Sequence, residues 1–560
     1  MMTRVFPVQT EQHGVLRRRG AGTTLRFRTT RADWIAGLSV AGLMLPEGVA
    51  YSAIAGLSPI AGLTAAIAGG LVYFLIGRSR FAIVSPTSSA AAILAASLAS
   101  LHPAAGSVES TAAALTVTVG LIFLALAVAQ LGSFAGFISR PVLRGFAFGL
   151  AVSIIVGQLP HIVGVALPRE TVWQTLAELL GHSDEFHWAS VLYGVSALAA
   201  LLFLRRFPAI PGALIVLCSG IASSVLLNLG GLGIATTPPV AFSLHSMAGG
   251  IGATAGLSDI ARLAAPIALI LFAESWGTIR NLALRHGQKV SPDREIAALG
   301  LANLAAGLVQ GMPVGAGFSA GSANEGAGAK SRMSAAVACC AILAVVALAP
   351  GLIARIPSPV LSAVVVAALV HALSLAPLRH LLELRRDFWI SITAALGVLL
   401  FGVLNGMLLA VVLSVFALLR RLAKPRISQL GQSSPGSHDY VDMAEHTKAL
   451  AIPGVAIFRP NAPLFFGNAE AVLDEIGRAA NRTDAHCVIL SLEESDDLDS
   501  TAIDALGEFA QSLESEGRSL LLARLHDRAR TGLELALSPL APVGTFSVAD
   551  AVAQAQTISG

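Results

Sequence analysis

The sequence predicts a polytopic α-helical membrane protein with a small soluble α/β domain at its C-terminus, and three observations predict it. The 560-residue chain is 54% hydrophobic and only 13% charged, with a mean hydropathy of +0.72, which is too apolar for an ordinary soluble globular protein. Its apolar residues gather into repeated runs of membrane-spanning or near-spanning length. Its charge is divided: residues 1–438 hold 29 Lys and Arg against 15 Asp and Glu, whereas 439–560 hold 8 against 19, so the tail reads as a separate acidic domain. The four cysteines (Cys218, Cys339, Cys340, Cys487) are too few and too scattered for a disulfide framework and read as packing residues. No redox or zinc site is implied.

Residues 1–32 form a basic arm with seven arginines from Arg4 to Arg31, which the positive-inside rule keeps in the cytoplasm. No cleavable signal peptide is expected, because the first apolar run starts near Trp34 and continues into further spans. Fourteen apolar segments follow, at about 34–57, 61–76, 84–101, 111–132, 142–165, 188–204, 211–229, 263–281, 296–310, 317–329, 333–350, 358–377, 388–404 and 406–420. Every even-numbered segment ends among basic residues, from Arg78 and Arg80 after the second to Arg420, Arg421 and Lys424 after the last. An even count with that parity predicts cytoplasmic termini on both sides of a membrane domain over 33–422.

The first segment carries Glu47 at its middle, beside Pro46 and Gly48. A charged side chain at the bilayer centre costs roughly 2.5–3.5 kcal/mol on insertion scales, so an acid there implies a function. The third and tenth segments are irregular. AIVSPTSSAAAI puts Pro86 and the hydroxyls of Ser85, Thr87, Ser88 and Ser89 ahead of a clean helix, and GMPVGAGFSAGSAN is rich in glycine and small residues. Each reads as extended chain running into a half-helix, third in its set of seven. Broken segments at matching positions point to a binding site between inverted repeats, here 33–230 and 260–422. Two facing helix N-termini would offer an anion unpaired N–H groups and about half a positive charge each. The alternative is that these are small-residue packing faces.

A second acid, Glu274, lies in the eighth segment, one turn before Thr278 on the same helical face. A structural role, paired to a helix end or a buried hydroxyl, is its other reading. Glu325, nearer the cytoplasmic end, reads as a solvated or capping acid. After Arg421 comes a polar linker, 423–439, and residues 440–560 then alternate strand and helix: VAIFRP, NAEAVLDEIGRAA, HCVILSL, STAIDALGEFAQSLESEG, SLLLARL and a weak helix near TGLELAL. Asp499 or Ser500 caps the second of these helices. A phosphoryl-acceptor role for that hydroxyl is the alternative.

Together these motifs resemble a bacterial sulfate permease (SulP) transporter, kin to the animal solute carrier 26 proteins, with a C-terminal STAS domain. The resemblance covers about residues 31–560. It rests on RADWIAGLSVAGLMLPEGVAYSAIAGLSP, GRSRFAIVSPTS, SRPVLRGFAFG, HGQKVSPDREIAALGLANLAAGL, GAGAKSRMS and the LDST turn. It implies a seven-plus-seven inverted repeat in the bacterial inner membrane, with segments 1–4 and 8–11 as a core moving against a gate of 5–7 and 12–14. It also implies homodimers, transport of a small inorganic or organic anion, and the possibility of a cytosolic regulator at the STAS domain. Mapped by position, the family's substrate site falls on Glu47, Tyr51, Thr87, Glu274, Thr278, Gly317, Phe318 and Ser319.

Two departures from the family pattern matter. Many relatives have glutamine where Glu47 stands, and many have an arginine after the tenth-segment serine, where this chain has Ala320. Burial and a nearby anion both favour the protonated carboxyl, so an acid standing where a fixed cation is missing predicts H+-coupled uptake of sulfate or a related oxyanion or dicarboxylate. Glu47 is then the proton carrier, and Tyr51, Thr87, Gly317, Phe318 and Ser319 bind substrate. The runner-up is a Na+-dependent bicarbonate transporter using Glu274 and Thr278 as oxygen ligands. A membrane-anchored anion sensor acting through the STAS domain is the reading of another class. No P-loop, metal-ligand cluster or nucleophile elbow is present, so neither an enzyme, a cofactor nor a nucleic-acid partner is expected.

Overall fold

The structure is a computed structural model that describes residues 30–103, 107–132, 140–167, 171–207, 212–237, 256–384, 387–537 and 543–558. Most of the basic arm, and the loop arginines at 385 and 386, therefore lie outside the described residues. The chain divides into two compact units, the first comprising nearly all residues up to Leu408 and the second Leu409–Gly560 with a short segment at 137–142.

The first unit opens with α1 (Arg31–Ala55), which starts at a capping box: the Thr30 hydroxyl accepts from the Asp33 N–H and the Asp33 carboxylate accepts from the Thr30 N–H. Asp33 is fully buried because it does more than cap. Its carboxylate also accepts from the backbone N–H groups of Lys330 and Ser331, both at 2.8 Å, and from the Ser331 hydroxyl at 2.9 Å. The carboxylate thus ties the start of the first helix to a turn almost 300 residues later. Next come α2 (Pro59–Ile76), the strand β1 (Val84–Pro86), the half-helix α3 (Ser88–Leu101), α4 (Val108–Val128), α5 (Arg140–Val163), α6 (Val172–Gly181), α7 (Trp188–Leu204) and α8 (Gly212–Leu226). The series then continues with α9 (Leu257–Arg285), α10 (Pro292–Leu308), the strand β2 (Val314–Ala316), the half-helix α11 (Phe318–Gly326), α12 (Met333–Leu348), α13 (Ser358–Leu369), α14 (Ala376–Glu383) and α15 (Phe388–Ala423), whose residues from Leu409 on count with the second unit.

Among the described residues, five helices are long and apolar enough to cross a membrane and five more are apolar but shorter. Two details differ from the expected segments. The twelfth, expected to be continuous over 358–377, stops at Leu369, and α14 starts afresh around Pro377, since a proline in the first helical turn opens a helix but cannot continue one. The last two segments are two helices on either side of a kink at Gly402, a few residues before the expected break, where the φ of +80° is one that only glycine adopts readily.

The third and tenth segments are extended chain followed by half-helices, as their composition suggests. β1 and β2 pair antiparallel, Val84 opposite Ala316, Ser85 opposite Gly315 and Pro86 opposite Val314. Polar side chains from neighbouring helices complete this backbone. Asn303 of α10 accepts from the Val314 N–H and donates to the Val314 carbonyl, and the Ser275 hydroxyl of α9 accepts from the Ala316 N–H. Helices α1 to α4 pack with α9 to α12, while α7, α8 and α13 share a separate apolar cluster of Ala197, Leu201, Val216, Val360, Ala363 and Val364. At the α1–α2 crossing the backbones touch: a Cβ on Gly62 would lie 2.0 Å from the Gly48 carbonyl oxygen.

In the second unit a six-stranded mixed sheet runs β4-β3-β5-β6-β7-β8, with β3 (Ile427–Gln432), β4 (Tyr440–Asp442), β5 (Val455–Pro460), β6 (Cys487–Ser491), β7 (Ser519–Ala523) and β8 (Val543–Thr545). The helices α16 (Ala469–Ala480), α17 (Ser500–Ser515) and α18 (Asp527–Leu537) cover one face, and α19 (Val548–Ile558) covers the other. The stretch expected to be a linker, 423–439, instead supplies β3, paired with both β4 and β5. Its polarity hid it. Ser428 is buried in the strand because its hydroxyl donates to Asp442 at 2.6 Å, an interaction that also holds the Asp442 carboxyl below its usual range.

Gly62→Ala is expected to drive α1 and α2 apart and cost about 1–3 kcal/mol, as overpacking does. Gly277→Ala, with nothing within 4 Å of the new methyl, should be neutral. Thermal unfolding of the two variants in detergent checks the contrast.

Candidate functional site

The two half-helices leave β1 and β2 with their N-termini facing a common space. Thr87 is the N-cap of α3, its hydroxyl accepting from the Ala90 N–H at 3.3 Å, and Gly317 is the N-cap of α11, with no side-chain cap. They are close neighbours, since a Cβ on Gly317 would sit 3.7 Å from the Thr87 methyl. Around them lies a cavity of about 270 Å³, walled by Glu47 and Tyr51 of α1, Ser85 to Ser89, Glu274 of α9 and Gly317 to Ala320 on one side. Leu143, Phe146 and Leu150 of α5 and Leu369 of α13 form the opposite, apolar wall.

Seven of the eight expected membrane-site residues therefore line one cavity: Glu47, Tyr51, Thr87, Glu274, Gly317, Phe318 and Ser319. Thr278 does not. It is buried one turn below Glu274 and packs toward Gly321 of α11.

The two acids sit in different surroundings. Glu274 is answered: the Ser89 hydroxyl donates to its Oε2, the Thr87 hydroxyl reaches the same oxygen at 3.4 Å, and Thr87 and Ser89 are 3.0 Å apart. This places the Glu274 carboxylate at the N-terminal turn of α3, whose partial positive charge it meets. Glu47 is 5% exposed and its Oε1 has no hydrogen-bond partner among the described residues. Tyr51, a turn further along α1, has Glu47, Glu274 and Ser88 as its polar neighbours. Among the described residues no Lys, Arg or His lines the cavity, and Ala320, buried and on its wall, leaves the α11 N-terminus as the positive end still unanswered.

Glu47, Phe318, Ser319 and Ala368 also line a second cavity, of about 460 Å³, that runs toward the C-terminal end of α7. Some supporting residues escaped the sequence reading. Ser89 stood among the hydroxyls of the third segment without a specific role. Asn303 and Ser275 had as signal only that they are polar residues inside apolar helices. Asn324 donates from Nδ2 to the Phe81 carbonyl at 3.1 Å, holding α11 to the chain that leads into β1. Glu325 pairs with Arg285 at 3.3 Å and with His286 at 2.7 Å. In the second unit Asp499 is the N-cap of α17, accepting from Ala502 N–H and, through its other oxygen, from Phe466 N–H. Ser500 is the exposed first residue of that helix.

Apolar helices with two broken segments, whose half-helix ends meet at a buried cavity holding ionisable groups, define a membrane transporter. The sequence profile of the sulfate permease family matches residues 30–414 and that of the STAS domain residues 446–538. The chain belongs to the sulfate permease family, a family of anion transporters that includes the solute carrier 26 proteins. A Mycobacterium tuberculosis protein described as a probable sulfate transporter is 33% identical over 519 residues, 91% of this chain and 92% of that protein. Human solute carrier family 26 member 6 is 29% identical over 79% of this chain and 62% of its own length. In fold, the chain is similar to the mouse solute carrier 26 family member A9 anion transporter in its inward-facing state. That match has a TM-score of 0.83 and 20% identity, and it covers 95% of this chain and 93% of that one. It is also similar to the transmembrane domain of a cyanobacterial bicarbonate transporter, with a TM-score of 0.59 and 21% identity over 70% of this chain and 98% of that domain.

Ser89→Ala removes the donor to Glu274, and a lost hydrogen bond to a charged group is worth about 1.5–3 kcal/mol, so transport should fall about tenfold or more. Thr278→Ala, outside the cavity, should change it much less; radiotracer uptake in proteoliposomes compares the two. Asp499→Ala is expected to cost the STAS domain about 1–2 kcal/mol through its lost cap, measurable by chemical denaturation.

Proposed function

We propose that the protein is a secondary active transporter that imports sulfate, or a related oxyanion or dicarboxylate, together with H+ by alternating access. The observation that carries this reading is the environment of Glu47: among the described residues one of its oxygens is unpartnered and no cation lines the central cavity, and it stands where two cavities adjoin. Two half-helix ends supply about one positive unit in total, and Glu274 meets the share of α3. What is left at α11 is too little to hold a dianion beside an ionised Glu47. Protonation of Glu47 removes that repulsion, so the anion and the proton travel together, with Ser319 as a hydrogen-bond donor to the anion and Thr87 becoming one by turning its hydroxyl away from Glu274 and Ser89.

Alternating access fits the distribution of the walls. Helices α1, α3, α9 and α11 carry the polar residues, α5 and α13 the apolar face, and a rocking of one set against the other would expose Glu47 to each side in turn. The relative described as a probable sulfate transporter supports the choice of anion. The reading includes an inner-membrane homodimer with cytoplasmic termini, a cytosolic STAS domain available to a regulator, and the domain limits 33–422 and 440–560 extended to take in β3.

A second reading has one observation in its favour. The oxygens of Glu274, Ser89 and Thr87 converge, as ligands of a hard cation do, which suits Na+-dependent transport of bicarbonate. Thr278, which that reading requires as a ligand, lies outside the cavity.

Glu47→Gln in proteoliposomes is expected to abolish labelled-sulfate uptake driven by an inward proton gradient while leaving sulfate–sulfate exchange measurable. Gradient-driven uptake surviving in the variant would sink proton coupling through Glu47. Uptake that needs Na+ at fixed pH would favour the second reading, and sulfate binding without flux would favour a sensor.

A further inference from the structure

The second cavity contains groups that the reading above does not use. Its gate wall carries Leu201, Leu204 and Arg205 at the end of α7 and Val364 of α13; its core wall carries Glu47, Ser319 and Ser322. Among the described residues Arg205 is the single Lys or Arg that lines it, and it forms no ion pair there. Ser319 and Ser322 are three residues apart on α11, so both hydroxyls lie on one helical face. The Ser322 Oγ is buried with no hydrogen-bond partner among the described residues. Arg205, an exposed side chain without an ion pair, thus lines one space of about 460 Å³ together with an unpartnered hydroxyl and a second hydroxyl shared with the central cavity.

We infer that Arg205, Ser319 and Ser322 form a second anion site at the inner end of the path, where a divalent oxyanion leaving the central cavity is held before release. The fixed cation absent at Ala320 of the core is in this way supplied by the gate, one step further along the route. A guanidinium presents a fork of donors that matches two oxygens of a tetrahedral oxyanion, and the α11 hydroxyls take the others. Because the cation and the hydroxyls stand on opposite walls, the site exists only in the conformation in which core and gate both border this cavity. An anion bound there therefore stabilises that conformation over one in which the walls separate or close. Arg205 also lies where positive charge keeps the anion near Ser319 until Glu47 has lost its proton.

This inference rests on passage of an anion through the central cavity, and the test separates the two. Labelled sulfate flux is measured from each face of proteoliposomes holding the full chain in known orientation, and its half-saturating concentration is determined for Arg205→Gln, Arg205→Lys and Arg206→Gln. Both arginines are exposed, but Arg206 does not line the cavity. Arg205→Gln should raise the half-saturating concentration at the inner face about tenfold, as loss of a charged binding contact does, with the outer face unchanged. Arg205→Lys should restore part of that loss, and Arg206→Gln should behave as wild type. Equal effects at both faces, no effect at either, or the same effect from Arg206→Gln overturns the inner site. A wild-type protein whose flux ignores pH, but whose inner half-saturation still depends on Arg205, overturns proton coupling and upholds this site. Unchanged thermal unfolding of Arg205→Gln confirms that the shift is not a loss of fold.

Discussion

Inside a bilayer an extended backbone must find protein partners for its N–H and C=O groups, and here β1 and β2 find them in each other. The rest of the transport unit depends on that three-residue pairing. Without it neither helix could be interrupted at membrane depth, and without the interruptions no helix N-terminus would point into the interior. The pairing is buttressed by side chains from α9 and α10, Ser275 and Asn303, whose polar atoms are spent on the strand backbone. Asn324 performs the corresponding task where the chain approaches β1, and Asp33 pins the start of α1 beyond the end of α11. These four residues are buried and polar without touching the cavity; they hold the frame that makes one.

Within that frame, charge is distributed unevenly, and the unevenness has chemical meaning. Glu274 lies against two hydroxyls at the start of α3, while Glu47 has an unpartnered oxygen where two cavities adjoin. The same residue type therefore meets two environments, one acid held by the hydroxyls of α3 and the other with one oxygen lacking a partner among the described residues. With alanine at position 320, the positive ends near an anion are the helix terminus in the core and, further along, Arg205 on the gate.

Much of this was legible in the chain. Hydropathic runs, the basic residues after every second one and the paired irregular segments led to the transporter architecture, and the family resemblance, mapped position by position, named eight membrane-site residues, seven of which line one cavity. Helical spacing placed Thr278 with Glu274 on one face, which is true of α9, but a face broad enough to hold both is wider than the cavity it borders, and Thr278 turns toward Gly321. Strand β3 was unreadable for a different reason: a serine looks like a loop residue until Asp442 arrives from another strand to satisfy it.

The sequence by itself determined the class of the protein, its two-part organisation, the acid in the first helix and the absence of a cation at position 320, because hydropathy, charge and residue identity are local properties. Only the tertiary structure decided which polar groups are already satisfied. Whether Glu274 meets Ser89, whether Glu47 keeps an unpartnered oxygen, and whether Arg205 shares a cavity with Ser319 and Ser322 depend on helices more than a hundred residues apart in the chain. Partnership of this kind is a matter of distance in space, and neither spacing nor composition along the chain encodes it.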